Sequence, residues 1–90
     1  MDKKVAAAYS NLMKSIKIKC AEHNITLIFD KLENEGGSCK YKDKTYIFLN
    51  KIHDDAAKLL FFFNEIDSAG YSDIFADLKE SFAHINASAK

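Results

Sequence analysis

The fold of this chain is decided by residues 38–49, SCKYKDKTYIFL. The β-branched and aromatic residues 45–49 indicate a strand, and residues 38–42 a second strand, so we predict a hairpin turning at Asp43 and Lys44. Side chains alternate between the two faces of a strand. One face of the hairpin therefore carries Cys39, Tyr41, Tyr46 and Phe48. The other face carries Lys40, Lys42, Thr45, Ile47 and Leu49. The second strand is thus apolar on both faces.

A helix and a further strand precede this hairpin. The apolar positions of the helix recur every three or four residues, as one helix face requires, at Val5, Tyr9, Leu12, Ile16 and Cys20. We predict this helix over residues 2–22, with His23 and Asn24 at its end, because a cation and a residue that tolerates a left-handed backbone favour helix ends. Residues 25–29 predict the first strand, and residues 34–37, Asn-Glu-Gly-Gly, the turn into the hairpin.

Two helices are predicted after the hairpin. Asn50 or Asp54 caps the first of them, and Gly70 ends it. Ser72 caps the last helix. Its apolar stripe consists of Ile74, Phe75, Leu78, Phe82 and Ile85. Together these elements predict a single α+β domain over residues 1–90, with an N-terminal helix, a three-stranded antiparallel sheet and two C-terminal helices.

The charges of the chain balance. It contains 13 lysines, no arginine and 13 acidic residues, so its formal net charge is zero and predicts no strong attraction to nucleic acid or anionic membranes. The uncharged run at residues 59–64 is far shorter than the ~20 residues that cross a bilayer. The N-terminus also lacks the pattern of a secretory signal. We therefore expect a cytoplasmic protein that does not bind membranes.

The apolar residues exceed what one helix face and one sheet face need. Phe61, Phe62 and Phe63 surround most of the circumference of their helix. Either the three helices cover both faces of the sheet, or part of this surface meets another protein or a second copy. For the second case we predict an interface formed by Tyr46, Phe48, Phe61, Phe62 and Phe63. On this basis we expect a non-catalytic protein-interaction or adaptor module that associates with a second copy as a homodimer or with another protein.

Four side chains are of types that zinc prefers, namely Cys20, His23, Cys39 and His53. A structural zinc site usually draws its ligands from two local pairs, and only Cys20 and His23 are close in sequence. We therefore expect metal-free thiols at both cysteines and no cofactor.

Catalytic combinations can be drawn but lack a motif. Cys39 with His53 or His84 would make a thiol–imidazole pair, and Asp54 with Asp55 a pair of carboxylates. No spacing in the sequence brings either combination together, and the aspartates suit the positive end of the helix that follows them. We expect that the protein is not an enzyme.

Nucleic-acid binding is the alternative function. Lysines and tyrosines alternate on the hairpin, at Lys40, Tyr41, Lys42, Lys44 and Tyr46, and this pattern can place ammonium groups at phosphates and rings under bases. The zero net charge and the lack of arginine oppose this interpretation. Lysines that protect an exposed sheet edge from pairing explain the same pattern.

A short motif resembles that of small uncharacterised bacterial proteins. These proteins share a GGxC turn, a strand ending in asparagine and a helix, which correspond here to residues 36–39, 46–50 and 59–66. The resemblance covers about half the chain and implies a helix, hairpin, helix order without implying an activity. The order of helix, three strands and helix is also similar to small zinc-peptidase domains. Residues 60–65, LFFFNE, lack the His-Glu-x-x-His motif, so no peptidase residue is carried over.

Overall fold

The computed structural model describes residues 3–31 and 36–88, and these residues form three helices and a three-stranded sheet. In chain order the elements are α1 (Lys3–Glu22), β1 (Ile25–Asp30), β2 (Gly36–Tyr41), β3 (Lys44–Asn50), α2 (Asp55–Ala69) and α3 (Ala76–Ser88). The predicted α+β class and order of elements are confirmed. Within the described ranges, no helix has the length and apolar character needed to cross a bilayer.

The sheet is mixed, with the strand order β1-β3-β2. Strand β3 is antiparallel to β2 and parallel to β1, so the prediction of a purely antiparallel sheet is wrong in that detail. Asp30 pairs with Asn50, and Gly36 pairs with Leu49. The end of β1 and the start of β2 therefore lie at the same end of the sheet, on opposite sides of β3. The central position gives the most apolar strand hydrogen bonds on both of its edges.

The hairpin turns one residue earlier than predicted. Tyr41 pairs with Lys44, so the turn consists of Lys42 and Asp43 rather than Asp43 and Lys44. Lys42 has a φ of 56°, in the left-handed region that asparagine and glycine favour and lysine does not. The pairing register is shifted by two residues as a result. Because side chains alternate with a period of two, the predicted faces of the strands are preserved.

Most helix ends follow the predicted signals. Asn24 has a φ of 58° just after α1. The carboxylate of Asp54 caps α2 by accepting a hydrogen bond of 2.8 Å from the backbone N–H of Ala57. Gly70, with a φ of 90°, ends the same helix. These three positions confirm the expected boundaries and select Asp54 over Asn50 as the cap.

The start of α3 differs from the prediction. The helix begins at Ala76, not after Ser72. The Ser72 hydroxyl donates to the carboxylate of Asp67 at 2.9 Å and does not cap a helix. A turn then follows, in which the N–H groups of Ile74 and Phe75 both donate to the carbonyl of Tyr71. The apolar stripe predicted for this segment nevertheless packs on the core.

The helices pack on one face of the sheet. Thr45, Ile47 and Leu49 of β3 are buried, and Ile47 and Leu49 belong to the same apolar cluster as the buried faces of all three helices. Tyr46 and Phe48 alternate with them and lie outside this cluster. Since alternate side chains occupy opposite faces, the second face of the sheet is left without a helical layer.

Helix α1 packs against both other helices, and aromatic side chains also join α2 to the C-terminal segment. Phe62 and Phe63 are buried, with ring centroids 5.3 Å apart. The ring of Phe75 lies 5.4 Å from that of Phe62, and the ring of Phe82 lies 5.3 Å from that of Phe63. These contacts attach α3 to α2 through aromatic pairs, each of which contributes roughly 0.5–1.5 kcal/mol beyond the burial of its area.

Gly36 permits a close approach of three elements. The predicted turn at residues 34–37 falls partly on residues 34 and 35, which lie outside the described residues, whereas Gly36 and Gly37 begin β2. Gly36 has a φ of 122°, and a Cβ atom there would lie 2.1 Å from the carbonyl oxygen of Phe48 and 3.2 Å from the ring of Phe61. Only glycine meets both requirements.

We expect Gly36→Ala to lower the free energy of unfolding by about 3 kcal/mol, because the substitution adds backbone strain and a clash with a backbone carbonyl that cannot move aside. Urea denaturation followed by circular dichroism measures the change. Gly37→Ala is the matched control, since a Cβ atom at Gly37 meets nothing within 4 Å. Its effect should stay within about 0.5 kcal/mol. Equal stabilities of the two variants would contradict this account of Gly36.

Candidate functional site

The uncovered face of the sheet is the most distinctive surface of the described chain. We call it the open sheet face; it consists of Thr26, Ile28 and Asp30 of β1, Gly37, Cys39 and Tyr41 of β2, and Lys44, Tyr46 and Phe48 of β3. All of these residues occupy the alternate strand positions whose side chains point away from the buried cluster. Strand pairing holds their backbone in place, so the surface is preformed.

Two aromatic side chains form the centre of the open sheet face. Tyr46 and Phe48 are half-buried and lie on the middle strand. Ile28 is the cross-strand neighbour of Phe48 on β1, and Gly37 is its neighbour on β2. Because Gly37 has no side chain and faces open space, one flank of Phe48 is uncovered. The centre of the face is therefore an apolar surface with a shallow indentation beside Phe48.

Opposite charges mark the two ends of this face. Lys44 begins β3, while Asp30 ends the parallel strand β1, and both are exposed. Beside Lys44, Tyr41 is 64% exposed, and the ammonium of Lys42 lies 5.5 Å from the centroid of its ring. The open sheet face is thus apolar in the middle, basic at one end and acidic at the other.

The five residues predicted as an interface do not form one surface. Phe62 and Phe63 have 0% and 2% of their surface exposed and belong to the core. Phe61 is half-buried and packs against that core from α2. Only Tyr46 and Phe48 lie on the open sheet face. Buried side chains cannot meet a partner without unfolding, so Phe62 and Phe63 are removed from the candidate surface.

Sequence reasoning missed two contributors to this surface. Ile28 lies within the predicted first strand, but its place beside Phe48 follows from the parallel pairing of β1 with β3. Gly37 was assigned to a turn, although it lies in β2 opposite Phe48. A glycine directly before an alternating strand pattern is the signal that indicates such a gap in a sheet face.

The lysines of the hairpin do not all lie on the same side of the sheet. Lys40 lies on the helical side, where its Nζ donates to the carbonyl of Ala69 at 3.2 Å and lies 5.4 Å from the centroid of the Tyr71 ring. Lys42 lies in the turn, and only Lys44 belongs to the open sheet face itself. The basic stripe expected for nucleic-acid binding is therefore shorter than the sequence pattern indicates.

The two cysteines are free thiols on opposite sides of the sheet. Cys20 is 1% exposed in the core, and burial raises the pKa of its thiol to about 12. Cys39 is exposed on the open sheet face. Of the histidines in the proposed ligand set, His23 is exposed and His53 half-buried. Within residues 3–31 and 36–88, no three His, Cys, Asp or Glu side chains are close enough together to hold a metal ion.

The structure separates Cys39 from His84 and gives Asp54 a structural role. His84 lies on α3 near Val5 and Ala8 of α1, on the helical side of the sheet, whereas Cys39 is on the open sheet face. Asp54 is occupied as the cap of α2, and Asp55 lies in its first turn. The described residues therefore place these groups in structural roles at helix ends or apart from one another.

The chain matches no protein-family model, no curated protein and no solved structure.

We expect the stability of the protein to fall above pH 9 partly through Cys20. Its pKa is about 12 in the folded chain, whereas an unfolded thiol ionises at about pH 8.5, so the unfolded chain loses its proton first and gains in population. Urea unfolding from roughly pH 8 to 11 should give a steeper loss of stability for the native chain than for Cys20→Ala. Cys39→Ala is the control and should keep the native slope. Parallel slopes for the native chain and Cys20→Ala would contradict the prediction.

Proposed function

We propose that this chain is a non-catalytic protein-interaction or adaptor module that associates with a second copy of itself through the open sheet face. One observation carries the proposal: the helices cover one side of the sheet, and the other side presents Tyr46 and Phe48 at its centre. Half-buried aromatic side chains on a preformed surface are typical anchors of protein interfaces, because they bury much area and lose little conformational freedom.

The charges of the open sheet face favour a second copy as the partner. Two sheets pack face to face about 10 Å apart, with their strands within about 30° of alignment. If the strands of the two copies run in opposite directions, Lys44 of each copy approaches Asp30 of the other. The same arrangement stacks Tyr46 of each copy on Phe48 of the other. The surface is therefore complementary to itself in one orientation, as a two-fold dimer requires.

The size of the face sets the expected strength of the dimer. Three strands of six or seven residues span about 20 Å by 14 Å, because residues rise about 3.3 Å along a strand and strands lie about 4.8 Å apart. This is less than the ~800 Å² per partner that a stable interface usually buries. We therefore expect a weak, reversible dimer with a dissociation constant in the micromolar range.

This function needs neither a cofactor nor a metal. It includes a cytoplasmic location, for which the two free thiols are the supporting observation, since cytosolic proteins keep their cysteines reduced. Cys39 lies beside Tyr46 on the open sheet face, where an oxidising compartment would expose it to disulfide formation.

We expect a dimer in light scattering coupled to gel filtration at roughly tens to hundreds of micromolar protein. The double variant Tyr46→Ser, Phe48→Ser should be monomeric at the same concentrations, because it removes both aromatic anchors. Its fold should persist, since neither side chain belongs to the core. Ile18→Ser is the control: Ile18 is 65% exposed on α1 and should leave the dimer intact. A native chain that is monomeric throughout would contradict the proposal.

Charge exchange tests the orientation of the two copies. Lys44→Asp places like charges at the contact and should weaken the dimer, as should Asp30→Lys. The double variant Lys44→Asp, Asp30→Lys restores opposite charges and should recover the native dissociation constant in sedimentation experiments. Additive weakening in the double variant would show that the two residues do not meet and would exclude this orientation.

Nucleic-acid binding remains the second candidate. It is favoured by the placement of Tyr41, Tyr46 and Phe48 on one face beside Lys42 and Lys44, since stacked rings and ammonium groups bind single strands. We expect only weak, salt-sensitive binding of a fluorescent oligothymidine in anisotropy titrations at physiological salt, because the net charge is zero. Submicromolar binding that Lys42→Gln and Lys44→Gln abolish, while Lys3→Gln leaves it unchanged, would replace the protein-interaction proposal.

A further inference from the structure

A second surface lies at the outer edge of β1 and shares only Thr26 with the open sheet face. Strand β1 is at the end of the strand order, and a groove of about 400 Å³ runs between its edge and α1. Cys20, Ala21 and Ile25 line one end of the groove. Lys17 and Phe29 line the other end. Helix α1 and strand β1 thus run in opposite directions along the groove, which has an apolar end and a basic end.

The backbone of β1 offers hydrogen-bonding groups toward this groove. The carbonyls of Asn24 and Asp30 accept hydrogen bonds from the N–H groups of Thr45 and Lys51, on the β3 side. Successive residues of a strand direct their backbone groups to alternate sides, so those of Ile25, Leu27 and Phe29 point to the outer edge. Among the described strands none pairs with that edge. An unpaired edge of this kind accepts an added strand.

Two ammonium groups lie near the Phe29 ring at the basic end of the groove. The Nζ of Lys17 lies 5.0 Å from the centroid of the Phe29 ring, and the Nζ of Lys58 lies 5.9 Å from the same centroid. In the part of the chain that the structure describes, the one salt bridge joins Lys79 and Asp67, so neither of these lysines has a carboxylate partner there. Two ammonium groups near one ring create a local positive potential that favours a carboxylate.

We propose that this groove binds an extended segment of another protein in which an apolar residue and an acidic residue are two or four positions apart, so that both side chains lie on the same face of the added strand. The segment adds to the sheet as a strand beside β1, with an apolar side chain against Cys20 and Ala21 and a carboxylate between Lys17 and Lys58. Charge selects this occupant over a second copy, because the β1 side chains that a second copy would place over the groove, Ile25, Leu27 and Phe29, include no carboxylate to meet Lys17 and Lys58. The inference does not rest on the proposed self-association, which uses the other face.

The probe is a fluorescein-labelled peptide in which serine occupies every second position and the positions between are glutamate, valine, valine and glutamate, so that valines and glutamates share one face in either strand direction. It is titrated with the full chain and followed by anisotropy. We expect saturable binding, and about tenfold weaker binding by the double variant Lys17→Glu, Lys58→Glu, because two charge pairs become repulsive. Lys42→Glu, in the hairpin turn, is the matched control and should bind as the native chain does. Absence of saturable binding, or equal binding of a peptide with lysine in place of glutamate, would overturn the proposal.

Amide hydrogen exchange distinguishes strand addition from other binding. The peptide should slow the exchange of the N–H groups of Leu27 and Phe29 and leave those of Thr26 and Ile28 unchanged, since the latter already bond to β3. Protection of Leu27 and Phe29 by raising the protein concentration alone would show a second copy at this edge and overturn the proposal. The variant Tyr46→Ser, Phe48→Ser should bind the peptide normally, so failure of the dimer and failure of this site are separable.

Discussion

The structure depends on the central position of β3. This strand is hydrogen-bonded to β2 on one edge and to β1 on the other, so it fixes the register of the whole sheet. Its alternate residues lie on opposite faces of the sheet. Ile47 and Leu49 are fully buried under the helices, whereas Tyr46 and Phe48 form the centre of the uncovered face. Because side chains alternate between its two faces, β3 contributes both to the core and to the candidate interaction surface.

Local chemistry made much of the fold predictable, and long-range pairing did not. Helix ends were predicted correctly where one residue supplies the signal, as Asn24, Asp54 and Gly70 do. The hairpin turn was misplaced because Lys42 adopts a left-handed backbone that its side chain does not favour. The start of α3 was misplaced because the Ser72 hydroxyl bonds to Asp67 instead of a helix N–H. The parallel partner of β1 has no local signature at all.

The candidate site was likewise predictable in its local pattern and not in its long-range contacts. Alternation predicted that Cys39, Tyr41, Tyr46 and Phe48 share a face, and a register error of two residues left that result unchanged. The sequence could not show which apolar residues remain accessible. Phe62 and Phe63 are aromatic, as Tyr46 and Phe48 are. The first pair fills the space between the helices, whereas Tyr46 and Phe48 face away from them. Accessibility is decided by how the layers stack, which depends on contacts distant in sequence.

The strand order has a consequence for the synthesis of the chain. Strand β1 leaves the ribosome before its only described neighbour, because the whole of β2 and the hairpin turn separate it from β3. During that interval the uncharged run Ile25–Phe29 has no partner strand, and such runs are prone to intermolecular β-pairing. The charged residues Glu22, Asp30 and Lys31 flank this run, which is where natural sequences place residues that oppose such pairing.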